Sequence, residues 1–427
     1  MKSGSKNWDA IVVGSGPGGA TVAKELADGG KRVLILEWGD NAPVKGTLSQ
    51  AVRGAFIPGK SLLVTGQMLG MVRGITTGGS SLFYCATAFK PPVDMLKAYG
   101  VDITGEFAEL KNDVPMAPLP DELDSPAAQR FSQSALDLGY DCRKMDKFIY
   151  PDKCRTDCQL CSYGCPYGAK WTARNFVDHA LKNGACIINH AKVNRVIIEN
   201  RQAIGVEYKH NMKQHRVYAP RIIVAAGGIG SPVILRRSGI QNVGRDFFFD
   251  PLWYVMGKVN ITGSGKGVPM TYGIHFEEDG IVLTDFNLPH ILKTFFDLEL
   301  LKIRQLFSYR NVIPIMIKIR DQLGGRVTDN GLIWKTLSRS DRQKLEKGAQ
   351  HATRILKNAG ATETYRSWVV AAHPGGTVKI GEHVDKNLKT EFDNLYVCDC
   401  SVIPEEWGLP PTVTLLSLGK RLAKHLL

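Results

Sequence analysis

The sequence predicts an α/β protein with a dinucleotide-binding domain on a parallel sheet and a second, α+β domain built on an antiparallel sheet. Residues 9–37 run strand, glycine turn, helix, strand, and residues 220–240 repeat the strand, the glycine turn and the helix. Residues 250–285 instead alternate polar and apolar side chains among many glycines, the pattern of antiparallel strands.

In the first stretch, DAIVVGSGPGGATVAKELADGGKRVLILE, the apolar run 10–13 suits a buried parallel strand. It breaks into Gly14-Ser15-Gly16-Pro17-Gly18-Gly19 before a helical pattern over 20–27. Gly14 permits a tight turn, Gly16 lets backbone N–H groups approach a pyrophosphate, and Gly19 lets helix and strand pack closely; with Gly18 these are the cofactor-binding candidates. The phosphate would sit on the positive end of the helix. The second apolar run, 33–36, ends at Glu37, about 20 positions past the glycines, where a dinucleotide fold needs a carboxylate for a ribose hydroxyl.

At 427 residues the chain can bury two or three domains, and its 44% apolar and 22% charged content is ordinary for a globular protein. No apolar run is long enough to span a bilayer, and the opening MKSGSKNWDA lacks the apolar core of a signal peptide, so a cytoplasmic protein without a transmembrane segment is expected. The net charge of +13 comes from scattered Lys and Arg rather than from a basic block interleaved with aromatics, and no nucleic-acid partner is expected. Nine cysteines argue for thiol, metal or redox chemistry rather than a disulfide framework.

Residues 73–92 hold Thr76-Thr77-Gly78-Gly79-Ser80-Ser81, a small-residue turn able to bring backbone close to a flat ring or a phosphate. Residues 91–151 lose strand character, with a Pro-rich loop at 116–120 and a helical pattern over 127–138, an excursion from the first domain. Cys154, Cys158, Cys161 and Cys165 follow in a C-x3-C-x2-C-x3-C-P spacing. Four sulfurs so close suit a [4Fe-4S] cluster, and the final Cys-Pro is similar to ferredoxin-type ligation; zinc and unligated thiols are the alternatives.

A helix is expected over 171–181, with strands at 185–189, 192–199 and 203–209 and a turn at Asn200-Arg201. Residues 288–307 form an amphipathic stretch, with Leu292, Phe296, Leu300, Ile303 and Phe307 at helical spacing; packing on the core is the plainer reading, and a peripheral membrane contact stays open. A strand over 313–320 and a helix over 341–360 come next. The chain closes with a strand at 395–398, Asp399, a loop and a helix over 412–427, so its end returns to the dinucleotide domain.

Together the glycine turn with Glu37, Gly78-Gly79-Ser80-Ser81, the GGIGSPVILRRSGI of residues 227–240, the His373-Pro374-Gly375-Gly376-Thr377 run with Gly381, and LYVCDCSVIP at 395–404 resemble the glucose-methanol-choline (GMC) family of oxidoreductases, in family order. The resemblance implies a Rossmann-like FAD-binding domain over 1–90, 154–249 and 369–427, and a substrate or cap domain over 91–153 and 250–368. It implies FAD, with the pyrophosphate at Gly14 to Gly19, ribose at Glu37, and further cofactor contacts at Gly79, Ser80, Gly227, Asp399 and Pro410. It also implies oxidation of a CH–OH group on a small-molecule substrate, with His373 taking the hydroxyl proton, a task suited to an imidazole.

The chain departs from that family in three ways. Pro410 stands where the family usually has an Asn or His one residue before the proline of the last loop, leaving Glu405 or Glu406 as a rival proton carrier. Tyr84 replaces an Asn after the second glycine turn, and the chain is short. The cysteine loop is similar to that of iron-sulfur GMC dehydrogenases, which implies electrons passing singly through a cluster to a carrier protein or partner subunit. Rival readings are an oxidase with structural cysteines, a flavin-dependent reductase of a carbonyl or alkene, and an electron-transfer subunit without alcohol chemistry.

Overall fold

The computed structural model describes residues 7–65, 69–260, 265–288, 293–294 and 311–427. Its first layer is a five-stranded parallel sheet with β1 (Ala10–Val13) at the centre. On one side of β1 lies β2 (Val33–Leu36) and then Cys186–Ile188; on the other lie Ile222–Val224 and Leu395–Val397. Every residue of β1 and β2 is buried, which is why both read as unbroken apolar runs: a parallel sheet is covered on both faces. The strands come from the start, the middle and the end of the chain, so the expected C-terminal return is real.

Helix α1 (Pro17–Asp28) covers the sheet and packs against the C-terminal helix Thr412–Leu426. The two approach closely at Gly419, where an added Cβ would lie 2.7 Å from the Thr21 Cβ. Lys420 ties this layer together, its Nζ 2.7 Å from both Glu25 and Asp113 carboxylates. Asp113 ends helix Thr104–Asp113, so the excursion expected from residue 91 first returns to the dinucleotide layer before it leaves. An antiparallel meander, Lys192–Glu199, Gln202–His210 and Lys213–Tyr218, adjoins the layer. Asn200 and Arg201 both take positive φ in its first hairpin, as a two-residue turn matched to strand twist requires.

The second domain is a larger sheet in which Pro251–Lys258, Val312–Ile319, Ile281–Asp285 and Tyr272–Phe276 run antiparallel in that order. Helix Arg339–Asn358 crosses it, and Gly348 allows the contact: a Cβ there would lie 2.4 Å from Ile317 Cγ2. Helix Pro126–Asp137 lies alongside, Ser134 Oγ donating to the Ile355 carbonyl at 2.7 Å. The side chains of the amphipathic stretch at 292, 296, 300, 303 and 307 lie outside the described residues. Among the described residues no helix is long and apolar enough to cross a membrane.

Candidate active site

The opening glycine turn has the shape its residue types require. Gly14 sits at φ 98°, and a Cβ there would meet the Ala225 carbonyl oxygen at 2.3 Å. A Cβ at Gly18 would meet the Cys398 carbonyl at 2.1 Å, and one at Gly19 the Gly14 carbonyl at 2.3 Å. Gly16 differs, because nothing lies within 4 Å of its missing Cβ. Gly16 is also the N-cap of α1 and no side chain caps that end, so its backbone N–H groups face an open approach, the arrangement that binds phosphate.

Glu37 closes the turn. Its carboxylate accepts from the Ser15 amide at 3.0 Å, the Ser15 hydroxyl at 2.6 Å and the Gly39 amide at 2.7 Å. Burial pushes its pKa above the ordinary value, while these donors hold the charged form. Gly78 donates to Ser15 Oγ at 3.1 Å, and a Cβ on Gly79 would lie 3.0 Å from Gly16 Cα, so the second glycine turn is laid over the first. Ser80 is exposed, and its Oγ accepts from the Gly74 amide at 2.9 Å.

Asp399 joins the last parallel strand to helix Gly227–Arg237. Its Oδ2 accepts from the Gly227 amide at 2.9 Å and from Ser231 Oγ, and its Oδ1 from the Ser401 amide at 2.7 Å. Burial raises its pKa against these donors. The histidine loop docks on the same helix: a Cβ on Gly228 would meet the Pro374 carbonyl at 1.9 Å, and Thr377 Oγ1 donates to the Gly228 carbonyl at 2.7 Å.

His373 stands on that loop beside two residues that the sequence reading missed. Its Nδ1 is 3.0 Å from Asp250 Oδ2 and 3.1 Å from Lys318 Nζ. Lys318 donates to the same Asp250 oxygen at 2.9 Å, and the Gly408 amide donates to the other at 2.8 Å. The side chains of Lys318 and Asp250 are 2% and 0% exposed, against 29% for His373. Burial lowers the His373 pKa, as does the Lys318 charge, and Asp250 opposes both. For Asp250 burial acts upward, but the Lys318 ammonium and His373 outweigh it and hold the carboxyl below its ordinary value.

Beneath lies a second buried pair. Asp321 accepts from the Asp250 amide at 2.9 Å and pairs with Lys335 at 2.7 Å; burial lifts its pKa to about 6. The one sequence signal for these groups was a charge inside each of two apolar strand-like runs, Asp250 after three phenylalanines and Lys318 within VIPIMIKI.

The rival base lies elsewhere. Glu405 is exposed and accepts from the Tyr99 hydroxyl at 3.1 Å; among the described residues it makes no side-chain contact with His373. Pro410 is half-buried and, lacking an N–H, offers no donor. On the same loop the Ser401 hydroxyl and the Trp407 indole nitrogen are buried with no hydrogen-bond partner among the described residues. Polar atoms left over on the Asp399 and Gly408 segments, with an uncapped helix end and an open Gly16, fit a bound dinucleotide cofactor.

The expected [4Fe-4S] ligands find no such fit. Among the described residues no three His, Cys, Asp or Glu are grouped to hold a metal, Cys154, Cys158, Cys161 and Cys165 included. The loop packs instead as part of the wall behind the second glycine turn: Lys170 donates to the carbonyls of Leu82, Tyr84 and Cys161, and the Ala173 amide to Ser81 Oγ at 2.9 Å. Tyr84, the departure from the expected Asn, is held there by its hydroxyl on the Trp171 carbonyl at 2.8 Å.

Known proteins share this fold. The N-terminal sequence model of the GMC oxidoreductases matches residues 8–252, and the C-terminal one residues 332–419. An uncharacterized protein of Methanocaldococcus jannaschii is 28% identical over 98% of this chain and 100% of its own length. The long-chain-alcohol oxidase FAO3 of Arabidopsis thaliana is 24% identical over 98% of this chain and 68% of its own. Crystallographic pyridoxine 4-oxidase from Mesorbium loti superposes with a TM-score of 0.78 at 17% identity, covering 98% of this chain and 99% of that one. Formate oxidase of Aspergillus oryzae superposes at 0.75 with 14% identity, covering 99% of this chain and 98% of that one. With more than half of its length matched in sequence and nearly all of it in fold, the chain belongs to the GMC oxidoreductase family and is an FAD-dependent oxidoreductase.

Proposed function

We propose that the protein oxidises the CH–OH group of a small molecule, with His373 accepting the hydroxyl proton at Nε2. The observation that carries this reading is the asymmetry of the ring: Nδ1 is held by Asp250 and Lys318, while Nε2 has no hydrogen-bond partner among the described residues. An imidazole kept neutral by burial and a neighbouring cation is ready to accept a proton, and a carboxylate on its far nitrogen stabilises the imidazolium that forms. FAD, once bound at the glycine turns and Glu37, supplies the two-electron acceptor.

The electrons are read as leaving to a protein carrier, which the net charge of +13 supports through attraction of an acidic partner. The cysteine loop enters this reading as thiols packed behind the second glycine turn, with no electron step assigned to it. The first substrates to test are long-chain primary alcohols and pyridoxine, from the names of two relatives. Anaerobic bleaching of the flavin by a CH–OH compound supports the reading. A panel in which no alcohol bleaches it, while carbonyl compounds reoxidise the chemically reduced flavin, replaces it with a reductase. Reoxidation by oxygen faster than by an acidic carrier removes the carrier.

A further inference from the structure

His373 Nδ1 faces one acceptor and one donor at nearly equal distance, the Asp250 carboxylate at 3.0 Å and the Lys318 ammonium at 3.1 Å. A neutral imidazole satisfies only one of them at a time. With the proton on Nδ1 the ring bonds Asp250 and Nε2 carries a lone pair; with it on Nε2 the ring accepts from Lys318 and cannot act as a base. The other charged or titratable groups around this trio are the Asp321–Lys335 pair beneath the Asp250 amide, the Cys400 thiol, and His275 and Cys85, which both feel the Lys318 charge.

We propose that Lys318 is the second member of the proton-handling pair, acting through His373: it anchors Asp250 so that Nδ1 keeps its proton, and its charge drives the accepted proton back off the ring after each turnover. It does so from the sheet of the second domain, and the last loop reaches the trio through the Gly408 amide on Asp250. The inference rests on the reading that Nε2 meets the substrate oxygen. In the oxidation the O–H bond breaks and an Nε2–H bond forms while Nδ1–H stays on Asp250; FAD, held at the glycine turns, would take the C–H electron pair as hydride. The imidazolium then stands beside the buried ammonium. Repulsion between the two expels the Nε2 proton to solvent, towards which the ring is 29% exposed.

Nitrogen-15 NMR of histidine-labelled, FAD-loaded protein without substrate reads the ring directly, with His373→Asn assigning its signals. The wild type should show a neutral ring protonated at Nδ1. Lys318→Met should let the imidazolium persist to a pH at least one unit higher, and Lys318→Arg should restore the wild-type titration. The acid limb of flavin reduction should move with the ring. Asp250→Asn, which keeps an acceptor for the Gly408 amide, should move the proton to Nε2; this arm stands alone if Lys318→Met does not fold. An unchanged titration in Lys318→Met, or an unchanged tautomer in Asp250→Asn, overturns the inference. If the ring behaves as expected but His373→Asn reduces flavin at the wild-type rate, it is the assignment of the base that fails.

Discussion

Lys318 Nζ and Asp250 Oδ2 lie 2.9 Å apart with almost no exposed side-chain surface between them, one from a sheet strand and the other from the turn that leads into its neighbour. Taking two charges out of water is costly, and a buried pair of this kind is weak evidence of stability in itself. What it provides is a fixed mount for His373.

Breaking that mount from one side leaves an unpaired buried charge. Asp250→Ala should destabilise the protein by about 3–5 kcal/mol in chemical denaturation, because Lys318 then loses its carboxylate. The double variant Asp250→Ala with Lys318→Met should recover much of the loss. Additive losses would show that the two side chains are not coupled.

His373→Asn should keep its flavin and reduce it by substrate roughly 100-fold more slowly, the scale of a lost general base. Glu405→Gln should reduce flavin at close to the wild-type rate, since Glu405 is exposed and engaged by Tyr99. Stopped-flow absorbance separates the two, and the reverse result moves the base to the glutamate.

Burial and Lys318 lower the His373 pKa from its ordinary 6.5, so the ring is neutral above a folded-state value below 6.5 and charged beneath it. Flavin reduction should therefore be flat through neutral pH and fall as pH drops through that depressed value. An acid limb centred above 6.5 would contradict the sign.

The glycines of the opening turn should divide into two kinds. Gly18→Ala, with its Cβ 2.1 Å from a backbone carbonyl, should disrupt the crossing of α1 over the sheet and lower the melting temperature. Gly16→Ala meets nothing in the protein, so it should fold normally yet bind FAD roughly 10- to 100-fold more weakly, the loss of one hydrogen bond to a charged group. Flavin titration with a thermal melt on each variant checks both.

Anaerobically purified protein should carry iron well below one cluster per chain, and Cys161, the most buried of the four thiols in the loop, should be the last of them to alkylate. Iron and sulfide at cluster stoichiometry would restore the expectation that the spacing raised.

The strand, glycine and carboxylate pattern of residues 9–37 was legible because each step is local: a short apolar run, residues that alone permit the turn, and one acid at a set distance. The return of the C-terminus, the hairpin at Asn200-Arg201 and the Asp399 position were legible for the same reason. Helix Arg339–Asn358 was legible within two residues at either end, its close marked by Gly360. The strand Lys213–Tyr218 was not found, because K-Q-H-R-V-Y shows too little apolar alternation and is held by pairing with its neighbour.

The His373 partners lay beyond any local reading. Asp250 and Lys318 are 123 and 55 positions from the histidine, and each is a single charge beside an apolar run. The antiparallel pairings of Leu252 with Lys318 and of Pro251 with Ala371, and the bridge from Phe248 to Gly375, bring the three together. The cysteine spacing shows the converse. Closeness in sequence suggested a common metal centre, but whether side chains form one depends on the backbone path, and among the described residues no group of three ligands is found. The sequence by itself determined the cofactor fold, because phosphate-binding turns are built from neighbouring residues. The proton-handling site was decided by tertiary structure, because burying a charge demands a partner and the chain found one from another strand.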